Sequence, residues 1–283
     1  MSKKLSKQKL NDIITYGIVI AAFVIMQILI NAGEISSLFQ GLMVPLCTYI
    51  ILAISLNLVV GILGELSLGH AGFMCVGAFT SSFFSKAMQD TITNSTVRFL
   101  LALLIGIITA AIFGIIIGIP VLRLNGDYLA IVTLAFGEII KNLVNVLFIG
   151  KDSKGFHFST KDAVSLNMEP DGKIILNGPQ GITGTPNDST FFIGFILILV
   201  TLFIVLNLIH SRDGRAIMAI RDNRIAAESI GINITKYKLM TFTISAAMAG
   251  AAGVLYAHNL SNLTANTNNF GYNMSINILV FVV

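Results

Sequence analysis

Residues 98–122 read RFLLALLIGIITAAIFGIIIGIPVL, and from Phe99 to Leu122 no side chain carries a charge. An α-helix needs about 20 apolar residues to cross the hydrocarbon core of a bilayer, so this run is long enough to span a membrane. Further apolar runs of comparable length cover residues 13–30, 41–63, 126–149, 191–209 and 237–258. Lipid rather than water is therefore the expected solvent for much of the chain.

Composition leads to the same expectation. The 283 residues are 55% hydrophobic and only 11% charged, with a mean hydropathy of +0.84, whereas soluble domains carry about 25% charged residues. The formal net charge of +4 does not indicate a nucleic-acid partner, because the basic residues cluster beside apolar runs, as the positive-inside rule expects. The clusters are Lys3, Lys4, Lys7 and Lys9, and Arg212, Arg215, Arg221, Arg224, Lys236 and Lys238.

Two shorter runs complete the predicted fold. Residues 73–84 contain glycine and are counted, with the residues before them, as a further span between the second and third long runs. Another span begins near Ile276 and reaches Val283 after about eight residues, far short of the roughly 20 that a crossing needs, so we expect it to be incomplete. The prediction is an all-α, polytopic transmembrane bundle of at least seven spans plus a truncated eighth, forming one domain over residues 1–283.

The charge distribution predicts the orientation of this bundle. The protein is expected in the plasma membrane, with its lysine-rich N-terminus on the cytoplasmic side. Five crossings later, residues 150–190 form an extracellular loop with four lysines against five acidic residues, and their turn-forming residues allow either an ordered cap or a mobile loop. One more crossing places the basic segment, residues 210–236, in the cytoplasm.

Within the basic segment, Gly214 and Gly231 bracket a run of good helix formers, which predicts one continuous helix about 24 Å long. The run is too charged to cross, since an arginine at the bilayer centre costs about 2.5–3.5 kcal/mol on insertion scales. Arg221, Arg224 and Glu228 would then share one face. The spacing leaves two interpretations open: a basic helix anchored on anionic lipid, or a rigid lever that docks on a cytoplasmic protein.

A glycine-rich string, residues 64–72, carries Glu65, Ser67 and His70 at the edge of the second run. Each glycine destabilises a continuous helix by about 1 kcal/mol relative to alanine, and broken helices in transporters expose backbone groups to a substrate path. The string is therefore either a tight turn, with His70 hydrogen-bonded to a neighbouring carbonyl, or part of a pathway.

Within residues 126–149, the fifth predicted span, Glu138 and Lys141 are one helical turn apart, so they can pair and reduce each other's burial cost.

Signatures of catalysis or metal binding are missing. There is no His-Glu-x-x-His, Gly-x-Ser-x-Gly or Cys-x-x-Cys pattern, and the only cysteines, Cys47 and Cys75, lie in apolar segments. We expect no catalytic residue, no metal site and no enzyme activity. No Gly-x-x-x-x-Gly-Lys-Ser/Thr phosphate loop occurs either, so ATP-driven work would need a partner chain that binds the nucleotide.

Four strings in order resemble the branched-chain amino acid ABC transporter permease family. They are GELSLGHAGF at residues 64–73, GDYLAIVTLAFGEII at 126–140, GPQGI at 178–182 and the basic segment. The basic segment is similar to the family's cytoplasmic loop, Glu-Ala-Ala, three residues, Gly, with Ile225 in place of the glutamate, followed by Ala226, Ala227 and Gly231. The long outer loop is similar to that of the LivM-type subunit.

The resemblance implies a permease that imports leucine, isoleucine or valine by alternating access. It also implies a second homologous permease subunit, two cytoplasmic ATPase subunits that bind ATP, and an extracellular substrate-binding protein. The implied ATPase-coupling residues are Gly214, Arg215, Arg221, Arg224, Ala226, Ala227, Glu228 and Gly231, and the candidate substrate-pathway residues are Ser67, Gly69, His70 and Thr133. Open alternatives are import of urea or short amides, secondary transport with Glu138 as the ion-coupling carboxylate, and a membrane enzyme.

Overall fold

The computed structural model describes residues 2–33, 35–122, 124, 126–170 and 172–282, without the side chains of residues 2–9 and 127. The predicted N-terminal cluster of Lys3, Lys4, Lys7 and Lys9 therefore lies outside the described side chains. The chain is mostly helical, and in the described residues six helices are long and apolar enough to cross a membrane. They are α1 (Ser2–Asn31), α2 (Ser37–Asn57, continued by a π-helical turn at Leu58–Leu63), α4 (Ser95–Val121), α5 (Asp127–Val146), α6 (Phe191–His210) and α9 (Ile234–Ala257).

Helix α3 (His70–Ala87) covers the predicted short span but is not among those six. It holds Ser81, Ser82 and Ser85, all fully buried, and these hydroxyls lower its apolar content. A helix packed inside a bundle does not need the apolar surface of a lipid-facing one. The helices identify a multi-pass membrane protein, with six rather than seven of them meeting the length and apolarity of a span.

Side-chain caps fix where most of these helices begin. In each case a Ser, Thr or Asn accepts a hydrogen bond from a backbone N–H in the first turn and so satisfies a donor that has no partner within the helix. The capping residues are Ser36 for α2, Asn94 for α4, Thr190 for α6 and Asn233 for α9.

Helix α9 lies at the centre of the bundle, where glycines bring it close to α3 and α4. A Cβ on Gly77 of α3 would lie 2.6 Å from the Cα of Gly250, and a Cβ on Gly114 of α4 would lie 2.7 Å from the Cβ of Ala246. Small residues let helix backbones approach and pack closely within a membrane. This packing encloses an aromatic group in which Phe73 and Phe242 meet edge to face, with ring centroids 5.4 Å apart.

The segment after α5 corrects the all-α prediction. Strands β1 (Phe148–Asp152), β2 (Gly155–Ser159) and β3 (Lys173–Asn177) form an antiparallel sheet in the order β2-β1-β3, and β4 (Ile182–Thr183) pairs with β5 (Asn262–Leu263). The turn from β1 to β2 is held by Asp152, whose Oδ1 accepts from the N–H groups of Lys154 and Gly155. Residues 150–190 thus form an ordered cap around strands too short for a span-based analysis to detect.

Long-range contacts define two ends of the bundle. The basic end comprises residues 61–68 and 211–233, joined where Arg221 Nη1 donates to the carbonyl of Gly61 at 2.9 Å. The sheet end comprises residues 88–94, 147–190 and 258–265, joined where Arg98 at the start of α4 pairs with Asp188 at 3.0 Å. Helix α3 connects the two ends.

The described residues also include the short helices α7 (Arg212–Asp222) and α8 (Arg224–Ser229) at the basic end, and α10 (Thr267–Phe270), which follows β5 in the chain and packs against α3 and α5. A final helix, α11 (Tyr272–Val280), begins four residues before the start predicted for the eighth span.

Candidate functional site

The basic segment turns sharply out of α6 into α7. The Ser211 hydroxyl accepts from the N–H of Gly214 at 3.0 Å and so caps α7. A Cβ on Gly214 would lie 2.6 Å from the carbonyl oxygen of Ile209, so only glycine allows the chain to fold back this closely. Gly214 therefore sets the angle at which the basic segment leaves the bundle.

The predicted continuous helix is interrupted at Asn223, which corrects the sequence analysis. Asn223 has extended backbone angles, φ −156° and ψ 102°, and its side chain accepts from the N–H of Ala226 at 3.0 Å. Asparagine is among the strongest N-capping residues because its side chain replaces the missing backbone acceptor. Arg221 on α7 and Arg224 on α8 consequently do not share one continuous helix face, although Arg224 and Glu228 remain one turn apart on α8.

Helix α8 is attached to the bundle by a single buried side chain and exposes the rest. Ala227 packs with Ile220 and Ile234 in a small apolar cluster. Ile225 is 82% exposed and Ile230 is 75% exposed. Gly231 then ends the segment in the left-handed conformation, with φ +86°, which glycine adopts without steric penalty. The outcome is a short helix with apolar side chains directed away from its own bundle.

Arg221 connects the basic segment to the end of the second span. Its Nη1 donates to the Gly61 carbonyl, and its Nε and Nη2 donate to Asp222 Oδ1 at 3.2 and 3.1 Å. Its aliphatic stem lies so close to Gly64 that a Cβ there would be 2.6 Å from Arg221 Cγ. Gly64 is also left-handed, with φ +79°, and it ends the π-helical turn. Arg221 therefore contacts both sides of the point where the second span breaks.

The glycine-rich string after this break is fastened to α9 and α5. Glu65 forms an ion pair with Lys238 of α9, and both side chains are largely buried, at 14% and 3% exposed. The N–H of Leu68 donates to Thr133 Oγ1 at 3.0 Å. A Cβ on Gly69 would lie 2.7 Å from the Thr133 carbonyl oxygen. The string is thus held as an extended segment between two spans rather than as a free turn.

His70 is hydrogen-bonded to the hydroxyl of Ser245, which in turn binds the carbonyl of Ser55. Its Nε2 lies 2.7 Å from Ser245 Oγ, and the Ser245 hydroxyl donates to the carbonyl of Ser55 at 2.5 Å. A serine hydroxyl has one proton, so Ser245 accepts from His70, which carries its proton on Nε2. Nδ1 of His70 is then an acceptor, and in the described part of the chain this buried atom has no partner.

All four candidate pathway residues lie close together, and none is open to solvent in this conformation. Ser67, His70 and Thr133 are each 1% exposed. The Ser67 hydroxyl, like His70 Nδ1, is buried with no partner among the described residues. Sequence reasoning selected these residues but missed Ser245, the partner of His70, and Lys238, the partner of the neighbouring Glu65. Each lies more than 170 positions from its partner and carries no motif of its own.

Glu138 and Lys141 form the predicted pair, with Lys141 Nζ 2.5 Å from Glu138 Oε2. Both also bind the segment that leads into α11. Lys141 Nζ lies 3.4 Å from Thr267 Oγ1, and Glu138 Oε1 accepts from the N–H of Tyr272 at 2.8 Å. The Glu138 carboxylate is therefore occupied on both oxygens by groups of the protein itself.

Comparison with known proteins agrees with this architecture. The family model described as the permease component of branched-chain amino acid transport systems matches residues 37–283. The chain is 37% identical over 218 residues to the high-affinity branched-chain amino acid transport system permease protein LivM of Salmonella typhimurium, covering 74% of this chain and 50% of that protein. It is 27% identical over 246 residues to the fructose import permease protein FruG of Bifidobacterium longum, covering 87% of this chain and 65% of that protein.

A more distant relative is the nucleoside ABC transporter permease protein NupC of Lactococcus lactis, 22% identical over 205 residues, covering 72% of this chain and 62% of that protein. No solved structure is significantly similar to the chain. The chain spans about half the length of the LivM proteins it matches. Because the family model covers nearly all of the residues from α2 onward, the chain belongs to the family of permease components of branched-chain amino acid transport systems.

Proposed function

We propose that this chain is the permease subunit of an ABC importer that moves leucine, isoleucine and valine inward across the plasma membrane by alternating access. ATP would be bound and hydrolysed by two partner ATPase subunits, and the chain itself would carry no cofactor. The family match and the 37% identity to LivM support this proposal. A second homologous permease subunit would complete the path, and an extracellular binding protein would deliver substrate at the sheet end.

In the proposed orientation the N-terminus and the basic end are cytoplasmic and the sheet end is extracellular. Helix α3 together with the string before it would be a seventh crossing, since the string leaves the basic end at Gly64 and the last turn of α3 reaches the sheet end, where Lys86 Nζ donates to the Thr183 carbonyl at 2.6 Å. Its 18 residues extend about 27 Å, close to the thickness of the hydrocarbon core, about 30 Å. Residues 1–283 would form one permease domain, with residues 150–190 outside and residues 210–236 coupling it to the ATPases.

The exposed face of α8 supports a protein partner at the basic end. Ile225 and Ile230 are largely exposed among charged residues, and helix α8 has only six residues. Stable lipid binding scales with buried apolar area, and a helix this short offers little of it. Clustered apolar exposure rimmed by polar groups marks protein docking sites, so a groove of an ATPase subunit is the proposed partner of α8.

The contact between Arg221 and Gly61 is the structural observation that most supports the proposal. It joins α7, the helix next to the proposed docking helix α8, to the point where the second span breaks. A displacement of α7 would act through Arg221 on the π-helical turn at Leu58–Leu63, a feature often found at functional sites. From there it would reach the glycine-rich string and its contacts with Lys238 and Thr133. Docking of an ATPase would in this way change the position of the candidate pathway residues.

The substrate class is proposed from the relatives. FruG and NupC are named for fructose and a nucleoside, so the family fold is not tied to amino acids, and urea or amides remain alternatives. The higher identity to LivM favours branched-chain amino acids. Secondary transport is disfavoured because Glu138, its candidate ion-coupling carboxylate, already binds Lys141 and the N–H of Tyr272.

The experiment is uptake of labelled leucine by proteoliposomes that contain this chain with its co-purifying subunits and binding protein. We expect uptake that requires internal ATP and is competed by isoleucine and valine but not by fructose, nucleosides or urea. Uptake driven by a proton gradient in ATP-depleted vesicles would establish secondary transport instead. Competition by one of the other solutes would still support an ABC importer but would assign it a different substrate.

Arg221→Ala tests the coupling path, with Arg212→Ala on the same helix as the matched control. Loss of a charge-assisted hydrogen bond corresponds to about a tenfold effect or more, so we expect Arg221→Ala to lower uptake at least that far while the ATPases still co-purify. Arg212→Ala should transport normally. Normal uptake by Arg221→Ala would contradict the path. Charge reversal at both Arg221 and Arg224 to glutamate should release the ATPases altogether.

A further inference from the structure

An apolar groove of about 540 Å³ lies between α3, α4 and α5 just below the sheet end. Its walls include the side chains of Phe79, Phe83, Ile105, Leu143, Val144 and Phe156. The hydroxyls of Thr80 and Thr109 also border it, but they bind each other at 2.9 Å and the carbonyls of their own helices. Among the described residues, the groove therefore offers an occupant apolar contact and no unused polar group.

A smaller polar pocket of about 290 Å³ adjoins this groove, and Ala87 lines both. Lys86 and Lys151 line the polar pocket. Lys151 Nζ donates to the Ala87 carbonyl at 3.0 Å and lies 5.7 Å from the centre of the Phe156 ring, which belongs to the apolar groove. The two pockets thus lie side by side at Ala87, and the Lys151 ammonium stands between them.

The charges of the polar pocket are only partly balanced. Its two carboxylates already have partners: Asp90 lies 3.3 Å from Lys173, and Asp152 lies 2.9 Å from His157. Lys86, by contrast, donates only to the carbonyls of Ile174 and Thr183. Lys151 likewise binds only a carbonyl and a ring, so within the described residues neither ammonium has an anionic partner. Partly buried cations without a counter-charge favour binding of an anion.

We propose that this compound site binds one anionic phospholipid, with its phosphate at Lys86 and Lys151 and an acyl chain in the groove. Most of the walls belong to α3, α4 and α5, and the rim residue Leu143 is 51% exposed, so the groove is accessible from lipid. Basic pockets between membrane helices are known to bind anionic headgroups on the cytoplasmic or matrix side, and the same charge attraction would act at the sheet end. A branched-chain amino acid fits less well, because one short side chain would leave most of the groove empty and its ammonium group would find both carboxylates already paired.

The chain contains no tryptophan, so the quenching of a single introduced tryptophan, measured relative to the complex without that substitution, reports on its lipid contacts. Leu143→Trp places the reporter at the rim of the groove. Ile139→Trp is the matched control, one turn earlier on α5 and 63% exposed, outside the groove. Each variant, purified with its co-purifying subunits, is placed in phosphatidylcholine nanodiscs that contain increasing fractions of a bromine-labelled phospholipid, which quenches tryptophan fluorescence on contact.

For Leu143→Trp we expect brominated phosphatidylglycerol to quench at a several-fold lower fraction than brominated phosphatidylcholine with the same chains. For Ile139→Trp the two lipids should quench alike, because that position meets bulk lipid. Phe156→Trp is a second reporter that replaces one aromatic ring by another and guards against disruption of the groove by Leu143→Trp. Equal quenching by both lipids at both groove positions would overturn the proposal.

Substitution of Lys86 and Lys151 tests whether the preference for phosphatidylglycerol arises at this site. Each basic residue contributes about fivefold to binding of an anionic headgroup, so Lys86→Gln with Lys151→Gln should remove the phosphatidylglycerol preference of Leu143→Trp. Lys154→Gln is the control, since Lys154 is exposed and paired with Glu169 at 2.6 Å, and it should leave the preference intact. A preference that survives the double substitution would contradict the assignment.

Two other occupants give different results. If a second permease subunit covers the groove, neither brominated lipid should quench the groove reporters in the assembled complex. If the groove holds transported substrate, leucine should relieve quenching at concentrations that saturate uptake. Either outcome would overturn the lipid site, whereas failure of the importer proposal would appear as absence of ATP-dependent uptake and would leave the quenching preference unchanged.

Discussion

The backbone N–H of Tyr272, the first residue of α11, donates to Glu138 Oε1 of α5 at 2.8 Å. The carboxylate therefore stands at the N-terminus of α11, where the helix dipole favours negative charge. Its second oxygen lies 2.5 Å from Lys141 Nζ, so one side chain neutralises a buried lysine and anchors the start of another helix. This arrangement explains a charged pair inside an apolar run without assigning it a role in ion transport.

The pair should therefore show strong coupling in a double-mutant cycle. Removing one member of a largely buried ion pair costs about 3–5 kcal/mol, because the other charge remains without a partner. We expect each single variant, Glu138→Gln and Lys141→Met, to be clearly less stable to heating than the unmodified protein when both are measured in detergent. The double variant should lose much less than the sum of the two. Additive losses would show that the two side chains act independently.

Gly69 should not tolerate a methyl group. Its φ of −96° is open to any residue, but an added Cβ would meet the Thr133 carbonyl oxygen, and such overpacking costs about 1–3 kcal/mol. Gly69→Ala should lower the thermal unfolding temperature of the purified protein. Gly41→Ala on α2, where a Cβ would meet nothing within 4 Å, is the matched control and should not destabilise. Equal behaviour of the two variants would contradict the close approach of the string to α5.

Asn223 should govern the separation of α7 from α8. Loss of an N-cap costs about 1 kcal/mol, so Asn223→Ala should speed hydrogen exchange of the Ala226 amide by about fivefold. Asn223→Asp retains an acceptor and should preserve protection. The measurement is exchange mass spectrometry on peptides from residues 219–232. Unchanged exchange in Asn223→Ala would contradict this role of the Asn223 side chain.

The β1–β2 turn should remain stable into acid because of Asp152. Burial raises the pKa of this carboxyl, but hydrogen bonds from the N–H groups of Glu169 and Lys154 and from His157 lower it more, so its pKa lies below the ordinary value. Because the pKa of Asp152 is lower in the folded protein than in the unfolded chain, where it is about 3.9, the ionised carboxylate stabilises the folded turn at pH values above the unfolded-state pKa. This stabilisation is lost as the pH falls through the folded-state pKa.

Amide exchange of the turn is the readout for Asp152. Protection of the Lys154 and Gly155 amides should persist from neutral pH to about pH 4 and decline only below it. Asp152→Asn should weaken protection at neutral pH and remove the acid-dependent step. A decline that begins well above pH 4 in the unmodified protein would contradict the lowered pKa.

Much of this structure follows from local sequence. The apolar runs predict the long helices within a few residues, except that α1 begins at Ser2, eleven residues before the first run. Gly64 and Gly231 end helices as left-handed residues, as expected for glycine. The break at Asn223 was also readable, because Asn before a helical stretch is an N-cap signal, but the continuous run of helix formers concealed it. An ordered cap was one of the two outcomes expected for residues 150–190, but the short strands around Asp152 were not predicted, because hydropathy marks spans and not strands of five residues or fewer.

The sequence by itself determined that the chain is a multi-pass helical protein, where its spans lie and which segment is basic, because hydropathy and capping depend on residues within a few positions of each other. Only the tertiary structure decided that Arg221 meets Gly61, that His70 binds Ser245 and that Lys238 pairs with Glu65. Those contacts join residues more than 150 positions apart, and they exist because glycines let α3, α4 and α9 pack closely enough to bring the side chains together. No local property of either partner specifies that distance.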